Sequence, residues 1–302
     1  MHHKPVLLRE TIGLLGLRPG VVAVDATLGS GGHATAILER IGPAGRLIGL
    51  DQDPDAIERC TKRFGADARV TLIRSNFRKI DEVLEELKVP AVDAILMDIG
   101  MSSDQLEDGK RGFSFQKEGD LDMRMDPDAG NKASHYVMTL PEKELARIIY
   151  EYGEERNSRR FAAAIVRERY RNPVDTTSRL CEVIESSLPG RDRFAKAKRP
   201  QRNRRNPATR VFQALRILVN DEFGALRDGM DGAVKRLAPR GRLGVISFHS
   251  LEDRIVKEKF RELAAKNIAE IVTRKPVVAN RSEIIDNPRA RSAKLRVIEV
   301  KP

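Results

Sequence analysis

Residues 25–33 read DATLGSGGH, and this stretch decides the fold. An apolar run, Val21 to Val24, leads into it, and a helix-like segment, Ala34 to Ile41, follows. Strand, glycine-rich turn and helix in that order build a pocket for a negatively charged group. The glycines let backbone approach a ligand, and the start of the helix offers unpaired N–H donors. A second apolar strand, Arg46 to Leu50, runs into Asp51, an acid placed to accept hydrogen bonds from two ribose hydroxyls. The two signals point to an adenosine-containing cofactor without saying which one.

Outward from that turn, strands are expected at 21–25, 46–51, 70–74 and 92–98, with helices near 33–41, 54–63 and 79–87. The alternation implies a parallel sheet covered on both faces, and Val92 to Asp98 (VDAILMD) is apolar enough for its centre. The next clear strand is Arg242 to Phe248, after a Pro-Arg-Gly turn at 239–241. The helix feeding it begins after Pro207 and runs, broken near Gly229, to Leu237. A parallel crossover needs about a dozen residues, and this gap is many times longer. Residues 105–205 are therefore expected to form an inserted, mainly helical subdomain, with apolar residues at helical spacing (Leu145, Ile148, Ile149, Tyr152; Phe161, Ile165, Val166). Residues 1–104 and 206–302 make the sheet domain. A helix over Leu251 to Lys266 precedes two last strands, Ala269 to Arg274 and Leu295 to Val300, read as an antiparallel hairpin at one sheet edge. The expected class is α/β: a Rossmann-like, seven-stranded sheet with a reversed edge strand, the architecture of class I S-adenosylmethionine-dependent methyltransferases. Dinucleotide dehydrogenases normally keep a parallel sheet.

The chain has 302 residues, 40% of them hydrophobic, and a net charge of +11, which favours a polyanionic partner such as nucleic acid. Cys60 and Cys181 are too few and too far apart for a disulfide framework or a metal clamp, and no metal site is read. The opening MHHKPVLLRE does not read as a signal peptide, and no apolar run approaches the roughly 20 residues that span a bilayer. A soluble cytoplasmic protein without a membrane partner is expected. With no Trp and few aromatics, a broad base-stacking platform is disfavoured.

The turn at Gly29, Ser30, Gly31 and Gly32, with Ala34 at the last fingerprint position, approximately meets the dinucleotide pattern, so alone it does not separate nicotinamide from sulfonium cofactors. Asp53 before Pro54 reads as a helix N-cap, which leaves Asp51 as the ribose ligand. Ser75-Asn76-Phe77 follows the third strand. It either flanks an adenine ring or caps a helix above a buried Phe. Asp98-Ile99-Gly100-Met101-Ser102-Ser103 ends the fourth strand, where ligands of open α/β sheets bind; the prolines of the amino-methyltransferase D/N/S-P-P-F/Y/W signature are missing. His249 holds the corresponding place after the fifth strand and is a candidate for touching substrate. Ser250 with Asp253 resembles a capping box. No nucleophile elbow is present, so a Ser-His-Asp hydrolase is discounted. Arg191, Arg193, Lys196, Lys198, Arg199, Arg202, Arg204 and Arg205 crowd one short run against a single acid, Asp192, as a phosphate-backbone contact would. The acidic-leaning 104–128 segment, with Phe113 and Phe115, reads as a lid or pocket wall.

These motifs resemble the RsmH (MraW) family of bacterial 16S rRNA cytosine-N4 methyltransferases. The likeness runs in order through HKPVLL, DATLGSGGH, DQDP, ILMDIGMSSDQL, RGFSF, LDMRMD, NPATRVFQALRI, VISFHSLEDRIVK and NPRARSAKLR, nearly the whole chain. One departure is Asp120, where the family pattern has proline. The resemblance implies S-adenosylmethionine as cofactor, contacted by Gly31, Gly32, His33, Asp51, Phe77, Asp98 and Gln105. It also implies a cytidine in the decoding region of 16S rRNA on the 30S subunit as substrate. Direct in-line methyl transfer to N4 needs an acceptor for the amine proton, and Asp98, Ser102, Ser103, His249 and backbone carbonyls near Gly100 are the candidates. A nicotinamide-dependent oxidoreductase is the alternative enzyme, and an inactive RNA-binding assembly protein the alternative without chemistry. Oligomeric state, monomer or homodimer, is not legible.

Overall fold

In the computed structural model, residues 4–188 and 206–302 are described. The chain divides into two units, residues 1–102 with 223–302 and residues 103–222.

The first unit holds strands β1 (Val22–Asp25), β2 (Arg46–Asp51), β3 (Val70–Arg74), β4 (Val92–Asp98), β5 (Leu237–Ser247), β6 (Ala269–Ile271) and β7 (Lys294–Val300). They form one sheet in the order β3-β2-β1-β4-β5-β7-β6. β1 to β5 pair in parallel, while β7 runs antiparallel to both β5 and β6. The class I architecture expected above is present, with one refinement: the reversed strand is β7, one place in from the edge formed by β6. Side chains alternate along the central strand. Ala94 and Leu96 enter one apolar core with Leu47 and Ile246; Ile95 and Met97 enter the other with Ile48 and Val245. A strand buried on both faces has no polar side to show, hence the apolar run Ala94 to Met97 inside VDAILMD; Asp93, near its start, accepts the Val22 N–H at 2.9 Å. Each fully buried Leu or Ile stabilises the unit by about 1.5–3 kcal/mol.

Helix Gly32–Ile41 lays Ala34, Ile37, Leu38 and Ile41 onto one face of the sheet. Helices Glu222–Arg236 and Ser250–Ala265 cover the other through Leu226, Met230, Val256 and Phe260. The 239–241 turn is a bulge inside β5: pairing with β4 jumps from Val92↔Leu237 to Ala94↔Arg242, and Arg240 is left-handed. β5 thus begins at Leu237, earlier than the apolar run suggests.

The second unit packs helices Ala133–Thr139, Glu142–Gly153, Ser158–Arg169, Thr177–Ser186 and Ala208–Asn220. Gly153 lets two of them touch, because a Cβ there would lie 2.5 Å from Arg210 O. Helix Ala208–Asn220, assigned to the sheet domain from sequence, belongs here instead. The helical stretch after Pro207 breaks at left-handed Asp221, not at Gly229. The 104–128 segment folds onto this unit. Asn220 accepts the Met125 N–H at 2.7 Å and donates to Met123 O at 2.8 Å, while Phe115 meets Phe212 edge-on. Asp120, the departure from the family pattern, pairs with Lys132 at 3.1 Å. The basic residues Arg191, Arg193, Lys196, Lys198, Arg199, Arg202, Arg204 and Arg205 lie outside the described residues. Among the described residues no helix is long and apolar enough to cross a membrane.

Candidate cofactor and active site

Parallel neighbours end at the same rim of a sheet, so β1, β2 and β4 bring Asp25, Asp51 and Asp98 to one edge. Asp51 is held by two backbone donors, Gly29 N–H to Oδ2 at 2.8 Å and Asp53 N–H to Oδ1 at 2.9 Å. Two bonds on two oxygens leave further lone pairs for a ribose diol. Loss of water pushes its carboxyl up to about 6, against the pull of those two N–H groups. Asp25 is buried and accepts the Thr27 N–H at 3.3 Å; its Oδ2 has no hydrogen-bond partner. Burial pushes it up to about 7, with Asp51 adding to the rise. Asp98 is raised well above the ordinary carboxylate range, first by desolvation and then by the charges of Asp25 and Glu252, and its Oδ1 is also buried without a partner.

The glycines next to these acids have a packing reason. Gly31 is left-handed, and a Cβ there would lie 2.7 Å from the Phe64 ring; one on Gly32 would lie 3.0 Å from Pro5. At these two positions a side chain would run into protein. Gly29 is left-handed as well, but a Cβ there would meet only Thr27 O, at 4.0 Å. His33 is buried. Its Nε2 lies 3.0 Å from Val6 O and its Nδ1 3.5 Å from Asp98 Oδ2.

Asp53 caps helix Pro54–Phe64 by accepting the Asp55 N–H at 3.1 Å, as its place before Pro54 implies. Asn76 caps the short helical turn Phe77–Lys79 and donates to Gln52 Oε1 at 2.7 Å, which joins the tips of β2 and β3. Phe77 is partly buried and packs so tightly on the helix behind it that a Cβ on Gly229 would lie 2.6 Å from its ring. Thr27, which sequence reading passed over, accepts the Asp98 N–H at 2.6 Å and so ties β4's tip to the glycine turn. The hydroxyl inside DATL was the available signal.

His249 serves its own helix. It caps Ser250–Ala265, accepting the Glu252 N–H at 3.3 Å, while Glu252 takes the His249 N–H at 3.2 Å. The capping box is His249 with Glu252 rather than Ser250 with Asp253; Asp253 pairs with Lys294 and Arg296. Ser102 ends the first unit. Ser103 and Gln105 belong to the second and are buried on the short helix Ser103–Glu107. Cys60 is a thiol raised to about 12 chiefly by burial, which makes it inert, and Cys181, in the other unit, donates to Glu185 and accepts from Asn206.

The donor set fits S-adenosylmethionine. Asp51 offers acceptors to a ribose diol, and the orphaned oxygens of Asp25 and Asp98 suit a ligand carrying a sulfonium and an ammonium.

Comparison with known proteins adds the following. The model of the MraW methylase family matches residues 1–301. "Ribosomal RNA small subunit methyltransferase H" of Symbiobacterium thermophilum is 47% identical over 313 residues, covering 98% of this chain and 96% of that protein. The protein of the same name from Deinococcus radiodurans is 50% identical over 297 residues, covering 98% and 89%. That from Carboxydothermus hydrogenoformans is 48% identical over 313 residues, covering 98% and 97%.

Proposed function

This chain belongs to the MraW methylase family, and on that premise we propose that it methylates N4 of a cytidine in the decoding region of 16S rRNA, on the small ribosomal subunit. The observation that carries the reading is the rim of three carboxyls, two of them with a buried oxygen that no donor among the described residues reaches. S-adenosylmethionine, when bound, supplies the electrophilic methyl group. Asp51, fixed by Gly29 and Asp53, accepts its ribose hydroxyls. Phe77, backed by Gly229, flanks the adenine. Gly31, Gly32 and His33 line the turn, and Gln105 is a further contact carried by the family pattern. The names of the relatives support an rRNA substrate.

The N4 lone pair of cytosine is delocalised into the ring, so the amine attacks only as it loses its proton. Asp98 and Ser102 are the acceptors we propose for that N–H, with Ser103, the next residue along the chain, a further candidate. His249 we leave out, since its imidazole caps a helix. Positioning and a fixed electrostatic frame then supply most of the rate. A paired N4 is inaccessible, so the target base must be unstacked or looped out. Arg191, Arg193, Lys196, Lys198, Arg199, Arg202, Arg204 and Arg205 are proposed to grip the RNA backbone.

The test is methyl transfer from labelled S-adenosylmethionine to unmodified 30S subunits, followed by nucleoside mass spectrometry. N4-methylcytidine from the decoding region is expected. A methyl group on another base or ring atom overturns the reading, and so does RNA binding without any transfer.

A further inference from the structure

The contacts of His33 fix where its protons are. Val6 O can only accept, so the Nε2 that lies 3.0 Å from it carries hydrogen. In a neutral ring Nδ1 is then a bare acceptor, and it lies 3.5 Å from Asp98 Oδ2. An ionised Asp98 would set lone pair against lone pair. A proton between them removes the conflict, whether it is written as imidazolium with carboxylate or as imidazole with carboxylic acid. Two further carboxyls, those of Asp25 and Glu252, act on Asp98 and raise it. Asp25 on β1 approaches from one side with its own oxygen unpartnered. Glu252, on helix Ser250–Ala265, also faces Asp98 and is engaged by the N–H groups of Phe248 and His249. The Asp98 N–H goes to Thr27, and its Oδ1 is buried without a partner.

We propose that His33 Nδ1 and the Asp98 carboxyl hold a single proton between them, and that this pair makes the cleft prefer the cationic sulfonium cofactor over the neutral thioether left after transfer. The inference rests on the cofactor reading above. Positive charge entering beside Asp98 favours its ionised form, so the shared proton leaves for solvent and the carboxylate stays to face the sulfonium. The thioether brings no such charge, the proton stays, and spent cofactor is held less tightly. His33 acts here as a positioning residue: it fixes Asp98 and stores the proton, while Val6 fixes His33. Preference for S-adenosylmethionine over S-adenosylhomocysteine should rise with pH, by up to about tenfold per pH unit across the titration of the pair.

The test is calorimetry of both ligands against the full-length protein in buffers of different ionisation enthalpy, which counts protons released. More proton release is expected with S-adenosylmethionine than with S-adenosylhomocysteine, and Asp98→Asn should shrink the difference. Nitrogen-15 spectra of the ligand-free protein should show His33 protonated at Nε2 and hydrogen-bonded at Nδ1, a readout independent of the variant's folding. Equal proton counts for the two ligands, or a ring protonated at Nδ1 and bare at Nε2, overturn the inference while leaving the cofactor reading intact. Failure of both ligands to bind overturns both.

Discussion

Gly29 donates its backbone N–H to Asp51 Oδ2 at 2.8 Å, so the glycine turn after β1 and the acid at the tip of β2 form one hydrogen-bonded unit. Asp53 N–H holds the other oxygen. In Asp51→Asn the side chain keeps one acceptor oxygen for two backbone donors and loses its charge. Bonds to a charged acceptor contribute about 1.5–3 kcal/mol each. We expect affinity for S-adenosylhomocysteine to fall roughly 10- to 100-fold by calorimetry. Wild-type affinity in that variant would contradict the ribose role.

Asp25 and Asp51 carry a second consequence. Burial is the largest cause of the rise in each, to about 7 and about 6. An acid whose folded pKa lies above its unfolded one keeps its proton longer in the native state. From about pH 4 to 7 the native protein therefore binds more protons than the unfolded chain, and stability falls as pH rises through that window. Asn at position 25 cannot ionise but still offers an acceptor to Thr27. Ligand-free Asp25→Asn should melt a few degrees higher than the parent at pH 8 and nearly level with it at pH 4.5. Parallel melting-temperature curves for the two proteins would show that Asp25 carries no such penalty.

Two helical glycines separate packing from propensity. A Cβ at Gly13 meets nothing within 4 Å, so Gly13→Ala should be neutral or stabilising by about 0.5–1 kcal/mol. At Gly229 the same methyl lies 2.6 Å from the Phe77 ring and 3.2 Å from Phe77 O. Gly229→Ala must displace Phe77, and cofactor affinity should drop severalfold. Denaturant melts and calorimetry on both variants check the contrast; equal behaviour would mean that Phe77 does not depend on this contact.

What was legible in the sequence follows from how local each cause is. β2 and β4 lie where their apolar runs and bounding turns put them, because a strand covered on both faces carries its own signal; β3, at the sheet edge and only half-buried, is placed by its own apolar run and turns. The acids at the strand tips were legible for the same reason. The short helix Leu8–Leu14 was not: Thr11 is its one buried residue, so no periodic stripe marks it. The start of β5 was hidden by the bulge over 238–241, and the helix break by a left-handed Asp, where glycine is the usual sign. Gly31 reads from sequence as a place where backbone approaches a ligand; that the Phe64 ring also excludes a side chain there was not legible, because only tertiary packing brings Phe64 to it.

The start of helix Ser250–Ala265 was obscured because His is not among the favoured N-caps. Its imidazole nonetheless accepts the Glu252 N–H, and Glu252 returns the bond. His249→Ala should cost about 1 kcal/mol of stability, and His249→Asn, which supplies an ordinary cap acceptor, should recover it. Methyl-transfer rate should follow stability, so the Asn variant should also recover activity. If the Asn variant folds normally and transfers methyl groups orders of magnitude more slowly, His249 touches the substrate after all.

The basic run makes its own prediction through ionic strength. Each phosphate neutralised contributes a slope of about −0.7 to −0.9 in log affinity against log salt. Replacing Arg202, Arg204 and Arg205 by Gln removes three charges from a run holding a single acid, Asp192. Binding to unmodified 30S subunits should weaken at low salt, and the slope should become shallower by roughly 2 to 3 units. Affinity for S-adenosylhomocysteine should not move, because the acceptors proposed for the cofactor are Asp25, Asp51 and Asp98, and none of the three is replaced. A salt slope identical to that of the parent would mean that these arginines are a solvated face and that the RNA is gripped elsewhere.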